Sequence, residues 1–401
     1  MSGLAWLEAL GPQRIRPGLD RTRALLASLG RPERNLRSVL VAGTNGKGST
    51  TAALSAILAA AGVKAGLYTS PHLVRVTERI RIGEEDVPEA LLDRALALVA
   101  AVAGPGDRSP TYFEALTVAA LELFRRARVE VAVLEVGIGG RLDATNVVEP
   151  EISVVTNVGA DHLEVLGPLL ADVAREKAGV FRRGQPALVG ASGSPPEARE
   201  ALRAEAARTG ARLVEVPPSD RWEEIFPLPG AHQRENAALA VAAARALAPL
   251  TEEAILRGLR AVRWRGRLQR VARAGRRPLL LDGAHNPDGA RALAAHLDEQ
   301  GLSGRVDLLF GAMGDKNVEG IAGPLLARAR RVVFAAVDSP RAAPAESLRQ
   351  RLGRADAGTA ASVAEALAWL DADGSGAPPV LVAGSLYLVG EALRLLEGDS
   401  G

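Results

Sequence analysis

The stretch VLVAGTNGKGSTTAALSAIL, residues 39–58, decides how the chain is read. Its first four residues are apolar and predict a strand. Gly43 ends that run, and from about Ser49 apolar residues recur at Leu54, Ile57 and Leu58 with helical spacing. Strand, glycine-rich turn and helix form the setting of a phosphate-binding loop. Glycine lets backbone N–H groups approach phosphate oxygens, and the helix start adds partial positive charge. Lys47 would reach terminal phosphates, and the hydroxyl of Ser49 or Thr50 would hold Mg²⁺. The commonest phosphate loop has four residues between its first glycine and its Gly-Lys pair. Here Gly43 and Gly46 are closer, and Gly48 separates Lys47 from Ser49. The alternative is an ordinary glycine-rich turn, against which the placement of Lys47 argues.

Outward from this stretch, strand-like runs alternate with Ala/Leu-rich segments. Residues 38–43, 65–69, 130–136, 152–157 and 186–190 predict strands. Residues 49–61, 87–103, 113–127 and 168–180 predict helices between them. Such alternation predicts an α/β fold, a mostly parallel sheet covered on both faces. Three strands open into polar loops, GTNGKGS, EVGIGGRLDATN and TNVGADH, and ligands in such sheets bind beyond the carboxyl ends of strands. Residues 191–229 are rich in Pro, Gly and charge and show no strong period. A helix follows over 235–247. After WRGRLQRVARAGRRP, a second series of strand-like runs opens into the loops LDGAHNPDG, FGAMGDKN, AAVDSP and AGSLYLVGE. This predicts a smaller α/β domain.

The 401 residues suffice for two or three domains. Net charge is +2, with no basic tail, so nucleic acid is not an expected partner. There is no cysteine, which excludes disulfides and thiol chemistry. The first twenty residues carry charge early and no long apolar core, and no later run is long and apolar enough to span a membrane. A cytoplasmic location is expected. Of the 49 Lys and Arg residues only four are lysines, Lys47, Lys64, Lys177 and Lys316. In a chain that draws its positive charge from arginine, a retained lysine marks a place arginine cannot serve.

Several residues invite a chemical reading. Glu135 ends a strand and suits a Mg²⁺ ligand or a solvated strand end. His162, just past another strand beside Asp161, suits a metal ligand or a helix-start surface residue. Lys177 suits a surface ion pair with a neighbouring acid. It equally suits modification through its neutral amine, since CO₂ addition would make it a carbamate and a metal ligand. Arg141, Asp143, Thr145 and Asn146 follow a glycine run and suit a binding loop. Asp282, His285 and Asn286 sit in a loop that suits a nucleotide, and Asp315 and Lys316 occupy a similar position. The residue types allow a nucleotide-splitting ligase or a nucleotide-binding switch without turnover.

Nine segments in order, GTNGKGST, TSPHLVRVTERI, TYFEALT, LEVGIGGRLDATN, NVGADHLEVLG, EKAGVF, HQRENAALA, LDGAHNP and GSLYLVGE, closely resemble folylpolyglutamate synthase, including the bifunctional dihydrofolate synthase forms. The likeness runs from about residue 20 to about 392 and places the chain with the Mur-type ATP-dependent amide ligases, among which a cell-wall ligase is the competing member.

The resemblance implies a phosphate-loop domain over 1–267 that binds ATP and folate. It implies a Rossmann-like, glutamate-binding domain over 275–401 and a hinge at 268–274. It implies addition of L-glutamate to a folate or dihydropteroate through an acyl phosphate, using ATP and two Mg²⁺ sites; separately, with no coiled coil evident in the sequence, a monomer is expected. Ser49 and Glu135 would hold one Mg²⁺, and Glu135, His162 and carbamylated Lys177 the other, with Lys47 serving catalysis. Gly43, Thr44, Asn45, Gly46, Lys47, Gly48, Ser49 and Thr50, with Asn236, Arg267, Asp282 and His285, would surround ATP. Phe113, Glu114, Arg141 and Asp143 would border the folate. His285, Ser385 and Tyr387 would lie near glutamate, and TSPHL would be a mobile loop. Two positions depart from the family pattern WPGRLE: Arg265 replaces a proline and Gln269 a glutamate.

Overall fold

A computed structural model describes residues 1–12, 14–374 and 376–398. The chain divides into two compact units. The first comprises Met1–Ser70, Val76–Pro227 and His232–Arg263, and the second comprises Pro71–Arg75, Leu228–Ala231 and Trp264–Gly401.

The first unit carries the strands β1 (Arg37–Ala42), β2 (Ala65–Tyr68), β3 (Ile80–Ile82), β4 (Glu85–Asp86), β5 (Val131–Glu135), β6 (Ile152–Val155), β7 (Pro186–Gly190) and β8 (Arg212–Val216). They form one sheet in the order β4-β3-β2-β5-β1-β6-β7-β8. Pairing is parallel from β2 to β8, and the β3–β4 hairpin adds an antiparallel edge. Leu40, Ala42, Leu134, Val155 and Val189 enter one core with the helices Tyr112–Arg126, Leu170–Ala178 and Pro196–Thr209. The intervening Val39, Val41, Val133 and Val154 are equally buried. A sheet covered on both faces produces these unbroken apolar runs. The helices Lys47–Ala60 and His232–Leu247 pack on each other and on the strands.

The expected strands and helices of residues 38–190 are all present, with ends shifted by a few residues. Residues 191–229 differ, because they hold the helix Pro196–Thr209 and the edge strand β8. That helix buries mainly small residues, Ala198, Ala201 and Ala206, around Leu202. Its core stripe therefore lacks the large side chains that make a period visible. β8 is mostly exposed, as suits a sheet edge.

The second unit carries β9 (Gln269–Val271), β10 (Leu279–Leu281), β11 (Val306–Phe310), β12 (Ala329–Ala335), β13 (Gly358–Ala360) and β14 (Val380–Ala383). Their order is β13-β12-β11-β14-β10-β9, parallel except for β9 against β10. The division falls between Arg263 and Trp264, ahead of the hinge expected at 268–274. That segment instead contributes β9, because Gln269–Val271 completes the ladder of β10. Residues 71–75 also belong to this unit, so the division crosses TSPHL, residues 69–73, expected as a mobile loop. Leu73 and Val74 pack against its apolar core, and the Leu73 carbonyl lies 2.1 Å from where a Cβ would stand on Gly390. Among the described residues, no helix is long and apolar enough to cross a membrane.

Candidate active site

In the first unit the glycine turn after β1 is wedged between two neighbours. Gly43 has φ +151°, and a Cβ there would sit 1.9 Å from Thr156 Oγ1. Gly46 has φ +82°, and a Cβ there would sit 2.3 Å from Asn236 Oδ1. Only glycine fits both the dihedrals and the space. The TNVG turn after β6 then fixes the backbone. Thr44 N–H donates to the Asn157 carbonyl at 3.0 Å, and Asn45 N–H donates to Asn157 Oδ1 at 2.9 Å. Thr156 Oγ1 donates to the Asn45 carbonyl at 2.6 Å. Thr44 Oγ1 donates to the Gly159 carbonyl and accepts from Gly159 N–H. The helix Lys47–Ala60 starts at Gly46 with no side-chain cap. Its first N–H groups have no intrahelical acceptor and carry the positive end of the dipole.

Two lysines converge on one carbonyl oxygen of this turn. Lys47 Nζ donates to the Gly43 carbonyl at 3.1 Å and to the Thr44 carbonyl at 3.2 Å. Lys177 Nζ donates to the same Gly43 carbonyl at 2.8 Å. Lys177 is buried at 4% exposure, so the surface ion-pair reading fails. Burial and then repulsion from Lys47 pull its ammonium down to about 7, against the opposing pull of Asp161. About half of such amines are neutral at neutral pH, and a neutral amine is nucleophilic. Glu176 beside it pairs with Arg141 at 2.8 Å, and Arg141 N–H donates to the Glu176 carbonyl at 2.9 Å.

Ser49, in the first turn of the helix Lys47–Ala60, and Glu135, the last residue of β5 and paired with Val41 of β1, are both buried oxygen donors. Ser49 Oγ accepts from Gln233 Nε2 at 3.3 Å, and Glu135 Oε2 accepts from Ser70 N–H at 3.1 Å. His162 adopts a left-handed backbone, φ +54°, a strained conformation for a residue with a Cβ. Its ring lies 3.9 Å from Asp161 and 3.6 Å from Glu164. Among the described residues, no three of His, Cys, Asp or Glu gather as a metal site. The expected metal set leans instead on a serine hydroxyl and a modified lysine beside Glu135 and His162. Oxygen donors of this kind suit a hard cation.

The expected folate-bordering residues separate into two groups. Phe113 stacks near Tyr68, with ring centroids 5.8 Å apart, and Arg141 is largely exposed. Glu114 and Asp143 are buried and hold the fold. Glu114 closes a capping box with Thr111 and pairs with Arg21 at 2.8 Å. Asp143 accepts from the N–H groups of Gly137, Ile138 and Thr145 and from Thr145 Oγ1. Burial pushes its carboxyl up, and these bonds oppose that. Asn146 likewise ties the loop, donating to the Arg141 and Gly179 carbonyls.

In the second unit, Arg267, Asp282 and His285 come together. Asp282 accepts from Leu268 N–H and Ala284 N–H, each at 2.9 Å. Burial pushes its carboxyl up, and Arg267 opposes that. His285 Nδ1 lies 2.8 Å from the Gly283 carbonyl. Asn286 caps the helix Pro287–Glu299. Ser385 is buried and accepts from Tyr387 N–H at 3.1 Å, while Tyr387 is exposed. Gly384 N–H donates to the Ala284 carbonyl, joining this loop to the Asp282 loop. The two departures from the family pattern are accommodated. Gln269 Oε1 accepts from Gly266 N–H at 2.9 Å, and Arg265 pairs with Glu397.

Sequence reasoning missed Thr156, Asn157, Arg21 and Gln233. Only Gln233 carries a readable signal, since it lies three residues before Asn236 on one helix face.

Comparison with known proteins bears on these clusters. The Mur ligase middle domain model matches residues 41–192, and the Mur ligase, glutamate ligase domain model matches residues 266–386. The chain is 38% identical to the dihydrofolate synthase/folylpolyglutamate synthase of Escherichia coli K12, covering 99% of this chain and 95% of that protein. It resembles the structure of E. coli FolC in complex with DHPP and ADP, with TM-score 0.90 and 36% identity, covering 100% of this chain and 99% of the other. It also resembles a bifunctional folylpolyglutamate synthase/dihydrofolate synthase with Mn, AMPPNP and L-glutamate bound, with TM-score 0.87 and 35% identity over 99% and 98% of the two chains. The chain belongs to the dihydrofolate synthase/folylpolyglutamate synthase family.

Proposed function

We propose that this chain adds L-glutamate to folates and to dihydropteroate at the expense of ATP, acting in the cytoplasm as a monomer. The observation that carries the reading is the pair Lys47 and Lys177 on the Gly43 carbonyl, at the uncapped start of a helix. An anion is needed there to balance two cations and a helix dipole.

The turn from Gly43 to Thr50 would cradle the ATP phosphates. Lys47 would leave the Gly43 and Thr44 carbonyls for the terminal phosphate. Ser49 and Glu135 would hold one Mg²⁺, and Glu135, His162 and a carbamate on Lys177 a second. Bound Mg²⁺ supplies neutralisation of the phosphoryl group in transfer. Lys177 forms its carbamate when the neutral amine attacks CO₂. An N–C bond forms, a C=O electron pair moves to oxygen, and one N–H proton leaves to solvent. The substrate carboxylate attacks the terminal phosphorus and ADP leaves. The glutamate amine then attacks the acyl carbon, phosphate departs and a proton is released. Phe113, Glu114, Arg141 and Asp143 are assigned to the folate. Asn236, Arg267, Asp282 and His285 are assigned to the nucleotide, and His285, Ser385 and Tyr387 to glutamate, all on the resemblance.

ADP release by the purified chain with ATP, Mg²⁺ and L-glutamate tests this, with dihydropteroate and a tetrahydrofolate in parallel. Release with both is the expected result. Release with one alone narrows the enzyme to that substrate, and release with neither from folded, ATP-binding protein sinks the reading.

A further inference from the structure

Arg267 stands between two residues with left-handed backbone, Gly266 at φ +68° and Leu268 at φ +49°. At a leucine that conformation is strained, and it persists only where the surroundings over-determine it. Three hydrogen bonds do so. Leu268 N–H donates to Asp282 Oδ2 at 2.9 Å. Gly283 N–H donates to the Gly266 carbonyl at 2.9 Å. Gly266 N–H donates to Gln269 Oε1 at 2.9 Å. The first two bonds come from the loop after β10. The third comes from within the turn, where the Gln269 side chain folds back past Arg267 to close it.

Gly266 is buried, so its N–H needs an acceptor inside the protein. Gln269 is a firm post for that acceptor, because it opens β9 and pairs with Leu281 of β10. The guanidinium ends close to the same loop, with Arg267 Nη1 2.8 Å from where a Cβ would stand on Gly283. An arginine head lies at the end of several rotatable bonds, and a small backbone rotation at Arg267 is magnified there. We propose that Gln269 is a positioning residue, whose amide oxygen closes the turn from Gly266 to Gln269 and so aims Arg267 at an anionic nucleotide. This rests on the assignment of Arg267 to the nucleotide in the proposed function.

The test is calorimetric titration of the full chain with AMPPNP in the presence of Mg²⁺. Gln269→Met keeps the side-chain length and removes the acceptor. The expected result is an AMPPNP affinity lowered about fivefold or more, since a hydrogen bond from a charged donor is then made poorly. Gln269→Glu keeps an oxygen acceptor of the same reach and stays within about twofold of the wild type. Arg267→Met alone weakens AMPPNP by about tenfold or more. On that background Gln269→Met adds less than about twofold, because residues acting through one group are not additive. Wild-type affinity in Gln269→Met, an equal loss in Gln269→Glu, or losses that multiply in the double variant each overturn the proposal and leave the proposed function standing. Wild-type affinity in Arg267→Met overturns the assignment of Arg267 and the proposal with it. A wild-type chain that binds no AMPPNP overturns the proposed function as well, so the failures are distinct. Should Gln269→Met not fold, Gln269→Ala carries the same comparison.

Discussion

Lys177 and Arg277 are both buried cations, and the protein treats them in opposite ways. Arg277 is fully buried before β10, where it donates to the Pro378 and Leu370 carbonyls and pairs with Asp307 at 2.7 Å. Asp307, equally buried, also receives Arg330 and Arg331. Burial pushes its carboxyl up, but the three guanidinium groups prevail and hold it at about 2. Lys177 receives one carbonyl and faces a second cation, and Asp161 offsets these only in part. The amino ends of β10, β11 and β12 are thus neutralised from within the chain. The carboxyl end of β1 is left short of negative charge. A buried charge left unbalanced is a site prepared for a ligand, and one fully balanced is part of the frame.

The largest expected effect separates these roles. Lys177→Ala lowers turnover by at least roughly 10²-fold, the usual scale for losing charge stabilisation in the transition state, whereas Arg277→Met leaves turnover per folded molecule unchanged. ADP release normalised to folded protein reads both. Near-normal turnover in Lys177→Ala would erase the contrast. Carbamylation adds a sharper form, in which high-resolution density of a complex with ATP and metal shows three added atoms on Lys177. A bare, well-ordered ammonium there would sink it.

Stability is expected to move the other way. Arg277→Met takes one of three guanidinium partners from Asp307 and leaves two carbonyls without their donor, costing about 3 kcal/mol in urea unfolding, while Lys177→Met removes a charge that Asp161 offsets only in part and adds about 1–4 kcal/mol. Both variants shifting in one direction would contradict the comparison.

The pH dependences differ in window and sign. The Lys177 value lies below its ordinary 10.5, so between 7 and 10.5 the unfolded chain binds more protons and stability rises with pH. The advantage of Lys177→Met in bicarbonate-free buffer therefore shrinks as pH goes from 7 towards 10.5. Asp307 is depressed from 3.8 to about 2. Its contribution is complete above about 4 and fades as pH falls towards 2, and Asp307→Asn removes that acid limb. Smallest of all is the exposed Arg265–Glu397 pair. Arg265→Ala should change stability by less than about 1 kcal/mol, which denaturant midpoints would resolve.

The candidate site in the first unit was legible where chemistry dictates residue type. Gly43, Gly46 and Lys47 were visible from spacing, and Lys177 from being a lysine in an arginine-rich chain. The carboxylates were harder. Asp143 suits a binding loop, and the structure adds what the sequence leaves unsaid: a glycine-rich loop has bare N–H groups that need an acceptor, and Asp143 supplies it, as Glu114 does at its own helix start. Gln233 was legible only as a neighbour of Asn236 on one helix face, because its partner Ser49 lies 184 residues away and helical spacing names a face without naming what it meets. The helix Pro196–Thr209 was hidden because alanines, rather than large side chains, form its buried stripe.

Gly43 and Gly46 have a consequence for how this enzyme can change over time. A methyl group at either would overlap Thr156 or Asn236, so no single-codon replacement at these two positions can tune the loop by degrees. Inherited variation in nucleotide handling must enter through the neighbours that brace the turn. Resistance to an inhibitor seated on this backbone would accordingly be selected at Thr156, Asn157 or Asn236, with the two glycines held fixed.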